Sequence, residues 1–247
     1  MPTRESRAGG AAPAAPVLLD VLAEAQDAFA RLLADADPDA PVAACPGWTV
    51  TDLVLHLGAV HVWAAGMARG TDSDEEGAPG PREPVALQAR YREQAGTLLG
   101  TLRALGPDAP GLTLLGPGPA SFWHRRQVHE TLVHLHDLAA AAGAEHPVTD
   151  PSLWADTVDE VVTVMLPRQV RLGRTTLPEV AVRLAAPDAG RTWLLGVAEA
   201  GPAAEVAGPS RALALLLWGR TTADDPALRV AGDRAALRAA LGRALTP

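Results

Sequence analysis

Four stretches in the first 142 residues repeat apolar side chains at helical spacing, and proline or glycine punctuates the gaps between them. From Val17 to about Ala36 the apolar positions are Val17, Val21, Leu22, Ala25, Phe29, Leu32 and Leu33. That spacing is the signature of one buried helix face. After the proline-bearing turn DADPDAPVAACPGW, Thr49 and Asp52 stand in the positions of a capping box. The helix they open is predicted to run to about Arg69, with Val50, Leu53, Leu57, Val60, Ala64 and Met67 on its stripe. A third helix fits 85–105 through Leu87, Tyr91, Leu98, Leu99 and Leu102. A fourth fits about Ala120 to Ala142 and stops at Gly143. A single apolar stripe must be covered, and four such helices joined by turns cover one another as a bundle.

From residue 150 the pattern changes. Pro151 to about Leu172 reads as a helix bridging the two halves. EVAVRLAA (179–186) and TWLLGVA (192–198) read as strands joined by a P-D-A-G turn, with AEVAG (204–208) and LRVAG (228–232) as further strands. SRALALLLWGR after Pro209 and a last segment to Leu245 read as helices. The expected class is α+β: a tail over 1–16, a four-helix bundle over 17–146, and a smaller α+β domain over 147–247.

Composition narrows the function classes. With 48% hydrophobic and 20% charged residues, the chain has ample material for packed cores. A net charge of −8 argues against a general basic surface for nucleic acid. One cysteine excludes an internal disulfide framework and a cysteine-cluster metal site. No stretch reads as a membrane-spanning run, and the first 16 residues lack the apolar segment of a secretory signal. The expectation is a cytoplasmic protein without membrane or nucleic-acid partners, a monomer or weak homodimer. All 21 basic residues are arginine and lysine, isoleucine and asparagine are absent, so the arginine bias reflects a GC-rich gene and says little about anion recognition.

The seven histidines are the richest chemical signal. His56 and His61 lie on the second helix, and His124, His129, His134 and His136 on the fourth. Residues four apart share a helix face at roughly 6 Å, so Glu130 and His134 can act together. His129 and His136, seven apart, are separated by roughly 10 Å along the axis, too far to hold one ion. Glu130, His134 and Asp137 run along the flank of the stripe Val128, Leu132, Leu135 and Ala139. His56 borders the stripe of the second helix. If the bundle brings the two flanks together, His56, Glu130 and His134 form a three-ligand set with an open fourth position, as catalytic zinc sites have. Asp52, one turn before His56, is placed as an outer partner of that ligand. Spacing alone leaves ordinary surface pairing and core-satisfied histidines open. Trp63, Trp123 and Trp218 read as packing residues, Cys45 as a small buried residue, and Asp72 to Glu76 as a solvated loop. There is no G-x-S-x-G elbow, Walker loop or H-E-x-x-H. The G-P-G-P at 116–119 is expected to shape the approach to the fourth helix.

CPGWTVTDLVLHLG at 45–58 and WHRRQVHETLVHLHD at 123–137 resemble the mycothiol-dependent maleylpyruvate isomerase family, part of the DinB-like superfamily of metal-binding four-helix bundles. The bridging helix with Trp154, Asp156 and Asp159, LLWGR at 216–220 and VAGD at 230–233 are similar to that family's C-terminal, sterol-carrier-like α+β domain. The resemblance covers nearly all of the chain after residue 16. It implies Zn2+ or another divalent metal on His56, Glu130 and His134, with mycothiol as cosubstrate. It also implies a catalytic role for Arg220, whose guanidinium would suit a substrate carboxylate bidentately. The flanking residues Gln127, Val128, Leu135 and His136 depart from the family's common pattern, so the native substrate does not follow from the resemblance.

The implied function is a zinc-dependent, mycothiol-using isomerase or S-transferase acting on a small electrophilic, carboxylate-bearing metabolite. Two alternatives stand beside it. One is a thiol-independent zinc isomerase, cyclase or hydrolase. The other is a non-enzymatic metal- or ligand-binding protein.

Overall fold

The structure, a computed structural model, describes residues 15–71, 80–197 and 201–247. The expected tail lies almost wholly outside the described residues, as does the acidic run Asp72 to Glu76. The chain is of α+β class, an N-terminal helical domain followed by a C-terminal sheet domain. It divides into two compact units, and Trp218–Arg220 group with the helical unit Ala15–Asp150, although the chain on either side of them belongs to the other unit.

The helical unit contains α1 (Ala15–Asp35), α2 (Val50–Ala68), α3 (Pro84–Leu105) and α4 (Ser121–Ala141). α1 packs on α3 and α4, and α2 packs on the same two helices. Phe29, Leu53, Leu57, Tyr91, Leu98, Leu102, Leu132 and Leu135 are fully buried between them. The Phe29 and Tyr91 rings meet at 4.6 Å. α2 starts as expected, with Thr49 and Asp52 forming a reciprocal capping box. It is long and apolar enough to cross a membrane by length and composition, which amends the expectation that no such stretch exists, but 67% of that stretch is buried inside the protein. α4 ends in a Schellman turn, with Gly143 at φ 63° and the Ala144 amide donating to the Ala139 carbonyl at 2.9 Å.

A feature not anticipated is the hairpin of β1 (Pro110–Thr113) and β2 (Gly116–Pro119), whose second strand is the G-P-G-P run. Alternation of glycine and proline gives none of the β-branched or aromatic signal by which a strand is read. The hairpin is anchored by Trp123, whose Nε1 donates to the Leu112 carbonyl at 2.7 Å. It also lies close to the end of α2: a Cβ on Gly111 would stand 2.5 Å from the Ala68 carbonyl oxygen.

In the other unit the predicted single helix at 151–172 is interrupted. α5 (Pro151–Glu160) passes into a π-turn over Val161–Met165 before α6 (Leu166–Arg171). Pro167 has no amide hydrogen to offer the carbonyl four residues back, and the Leu166 amide bonds to Val161 five residues back. β3 (Ala181–Ala186), β4 (Arg191–Leu195), β5 (Pro202–Ala207) and β6 (Arg229–Gly232) form one sheet in the order β4-β3-β5-β6, with β3 and β5 parallel. Register aligns Val182, Leu195 and Ala204, and Leu184, Trp193 and Val206, on one buried face. The helices α7 (Ser210–Leu217) and α8 (Arg234–Leu241) pack on this sheet.

Candidate metal centre

α4 is buried almost all round, and its buried set includes His124, Arg126, Gln127, His129, Glu130, Thr131, His134 and Asp137. Helices of this kind are ordinarily apolar, and so dense a run of buried polar groups requires internal partners. The sequence reading set Glu130 and His134 on the flank of one stripe. Contact with both α1 and α2 buries that flank as well.

His56, Glu130 and His134 come together. Each offers one ligand atom, and the three atoms lie within 4.8 Å of one another. His134 Nε2 is 3.2 Å from Glu130 Oε1, and His56 Nε2 is 3.7 Å from the same oxygen. Nitrogen and oxygen ligands bound at 2.0–2.2 Å in tetrahedral directions stand about 3.4 Å apart, so these separations suit a zinc-sized ion. The set is two imidazoles and a carboxylate, the donor chemistry of a catalytic divalent site. The His56 side chain is 33% exposed, against 7% for Glu130 and for His134, so access is from the His56 side. There the Trp48 ring lies 4.9 Å from the His56 ring.

Each α4 ligand is held from behind by a second charged pair. Glu130 divides its oxygens: Oε1 faces the histidines, and Oε2 accepts from Arg126, one turn earlier. His134 Nδ1 donates to Asp137 Oδ2 at 2.9 Å, which leaves Nε2 for the shared centre. Asp137 in turn accepts from Arg220 Nε at 3.1 Å and Nη2 at 2.7 Å. Both guanidinium groups lie over the Trp218 indole, Arg126 at 5.3 Å and Arg220 at 5.9 Å from its centroid.

The charges follow from these contacts. Burial works against the Glu130 carboxylate, yet the Arg126 charge and the hydrogen bonds of His134 and His56 hold it well below the usual range. Burial likewise disfavours charge on His134, but hydrogen bonds to Asp137 and Glu130 prevail and raise it to about 9. Burial also opposes the Asp137 anion, and the hydrogen bonds of His134 and Arg220 outweigh it, keeping its carboxyl below normal. Without metal, His134 is therefore an imidazolium between two carboxylates. Cys45, whose Sγ is 3.6 Å from Arg220 Nη2, is pushed up by burial and by the Asp137 charge. A thiol raised in this way is a poor nucleophile at neutral pH.

Two of the expected site residues make contacts other than those expected. Asp52 is not placed on His56: its carboxylate accepts from the Thr49 amide at 2.9 Å and the Thr49 hydroxyl at 2.8 Å, and it faces Arg82 at 3.7 Å. An N3 carboxylate is drawn to the unsatisfied amides at its own helix start. Arg220 does not hold out its fork for a substrate carboxylate, because the fork is engaged by the buried Asp137. Of the other histidines, His61 is fully buried and donates from Nδ1 to Gln127 Oε1 at 2.8 Å, and burial lowers it to about 4. His124 and His129 are also buried, and the His136 and His146 rings lie 6.3 Å apart. None of these joins the three-ligand cluster. Trp63 and Trp123 pack edge to face at 5.1 Å, as packing residues do. Asp137 and Arg126 carry a faint signal in sequence, standing three residues after His134 and four before Glu130. Trp48 and Trp218 fall within the CPGW and LLWGR runs, but their local spacing does not place them at this centre.

Comparison with known proteins gives a consistent result. Residues 19–139 match the family described as the mycothiol maleylpyruvate isomerase N-terminal domain, and residues 152–239 match the C-terminal domain of the same family. A crystal structure of the mycothiol-dependent maleylpyruvate isomerase is similar over 90% of this chain and 95% of its own, with a TM-score of 0.66 at 16% identity. A histidine-to-alanine mutant of that isomerase has the same coverage and TM-score at 15% identity. At such identity the likeness speaks to the fold. No functionally curated protein shows significant similarity to the chain.

Proposed function

Because this chain belongs to the mycothiol-dependent maleylpyruvate isomerase family, we propose that it is a cytoplasmic thiol-dependent isomerase, in which the sulfur of mycothiol adds reversibly to an activated double bond of a small carboxylate-bearing metabolite so that the bond can rotate. The observation that carries the reading is the convergence of His56, Glu130 and His134 on one partly accessible point. A divalent ion held by these three residues, zinc by the donor set, would supply positive charge that keeps a thiol ionised at neutral pH.

The protein's own groups account for the rest. His56 and His134 present Nε2, and Glu130 presents Oε1, while Arg126 holds the other Glu130 oxygen away from the centre. Asp137 fixes the His134 ring by its Nδ1 hydrogen, so that Nε2 alone is left for coordination. Burial of Glu130 and His134 excludes water from two sides and strengthens each of these polar contacts. The exposed edge of His56 and the neighbouring Trp48 ring leave one side for thiol and substrate. The Cys45 thiol, kept protonated, does not compete with an added thiol.

The test is turnover of maleylpyruvate and related cis-unsaturated acids by zinc-loaded protein, with and without mycothiol. Activity that needs both, and is lost in His134→Ala together with bound metal, is the expected result. Turnover that persists without any thiol would point to a thiol-independent zinc enzyme and overturn the reading.

A further inference from the structure

Trp218 lies far from α4 in sequence, yet its indole is 7% exposed and two guanidinium groups lie over it. Each of those guanidinium groups pairs with a different carboxylate, Arg126 with Glu130 and Arg220 with Asp137. Each of those carboxylates contacts a different nitrogen of the same imidazole, that of His134. We infer that Trp218, Arg220 and Asp137 are positioning residues for the two candidate metal ligands on α4, acting through His134 and Glu130 and not on substrate. The inference rests on reading His56, Glu130 and His134 as a metal centre.

The geometry supports an indirect role at each link. The Arg220 fork is engaged by Asp137 through Nε and Nη2, and its Nη1 donates to the Trp218 carbonyl at 2.8 Å. Its side chain is only 12% exposed, and that of Asp137 is fully buried. A bidentate arginine fixes the plane of its carboxylate, as a lysine does not. With the Asp137 plane fixed, Oδ2 stays 2.9 Å from His134 Nδ1, and the ring can turn little about its χ angles. The indole face adds cation–π attraction for both arginines, which is strengthened where water is excluded. Arg126 and Arg220 thus share one support, and Glu130 and His134 are oriented through it. Trp218–Arg220 group with the helical unit although their neighbours in sequence do not, as such a support requires. Among the described residues the charged partners of the Asp137 carboxylate are His134, on the same helix, and Arg220, so the fork reaches it from outside α4.

The experiment is zinc affinity of the full-length protein, measured by competition with a chromophoric chelator, together with the visible absorption of the Co2+-substituted form. Arg220→Ala and Trp218→Ala should each weaken zinc binding by about 10–100-fold, the usual effect of removing an outer partner of a ligand. Both should also shift the Co2+ absorption bands, a change that a loss of general stability would not produce. Trp218→Phe keeps an aromatic face and should stay within about threefold of the parent. Arg220→Lys, which lacks the fork, should fall between parent and Arg220→Ala. Zinc affinity in Arg220→Ala and Trp218→Ala within about twofold of the parent, with unchanged Co2+ spectra, overturns the inference and leaves the metal centre standing. A parent protein that binds no zinc removes the metal centre and this inference with it. Should Arg220→Ala fail to fold, Arg220→Lys decides: parent-like affinity there overturns the inference, and weakened affinity supports it.

Discussion

The metal-free protein should be most stable near pH 6.5 and lose stability on both sides, because two buried histidines are shifted in opposite directions. His134 is raised from 6.5 to about 9 where hydrogen bonds to Asp137 and Glu130 overcome burial. His61 is lowered from 6.5 to about 4 by burial. Between pH 6.5 and 9 the folded state keeps a proton on His134 that the unfolded chain has released, so stability falls as pH rises. Between pH 4 and 6.5 the unfolded chain takes up a proton on His61 that the folded state refuses, so stability falls as pH drops. One proton changes unfolding free energy by about 1.4 kcal/mol per pH unit. Each limb spans about two and a half units, a change of about 3 kcal/mol from the maximum to either end. That is a large share of the roughly 5–15 kcal/mol that a folded domain has in reserve. The assay is urea unfolding of chelator-treated protein from pH 4 to 9.5, followed by far-UV circular dichroism, with His134→Gln and His61→Leu as comparisons. His134→Gln should flatten the alkaline limb and leave the acid one. His61→Leu should do the reverse above about pH 5; below that, proton uptake by Glu130 and Asp137 in the unfolded chain still lowers stability. Zinc loading should also flatten the alkaline limb, since a ligand imidazole carries no proton on its coordinating nitrogen in the folded state. Stability that is level or rises between pH 6.5 and 9 in the metal-free parent would refute the picture of a protonated His134 between two carboxylates.

Further outcomes follow from the same contacts. Asp52→Ala should lower stability by about 0.5–2 kcal/mol through loss of the α2 cap, with zinc content by elemental analysis unchanged, because the carboxylate serves Thr49 and not His56. Gly111→Ala should destabilise by about 1–3 kcal/mol in the same urea assay, since the new methyl would meet the Ala68 carbonyl at 2.5 Å and neither backbone can give way freely.

What the sequence determined by itself is what local periodicity and short-range chemistry can carry. The four bundle helices are legible because each keeps apolar residues on one side of a 3.6-residue period and ends at a capping box or glycine turn, as at Thr49–Asp52 and Gly143. The candidate ligand residues are legible for a related reason: Glu130 and His134 are one turn apart, and His56 borders the stripe of a helix that has to face them. Tertiary structure decided the rest. The β1–β2 hairpin is built of glycine and proline and takes its definition from the Trp123 anchor and the end of α2, contacts that no local window contains. Asp52 and Asp137 look alike in sequence as carboxylates near a histidine. One is captured by the free amides at its own helix start, and the other is buried where Arg220, eighty-three residues away, can reach it. Whether an arginine binds substrate or another side chain depends on which carboxylate the fold brings within hydrogen-bond range. The packing of Trp218–Arg220 into the helical unit is what brings the Arg220 fork to Asp137.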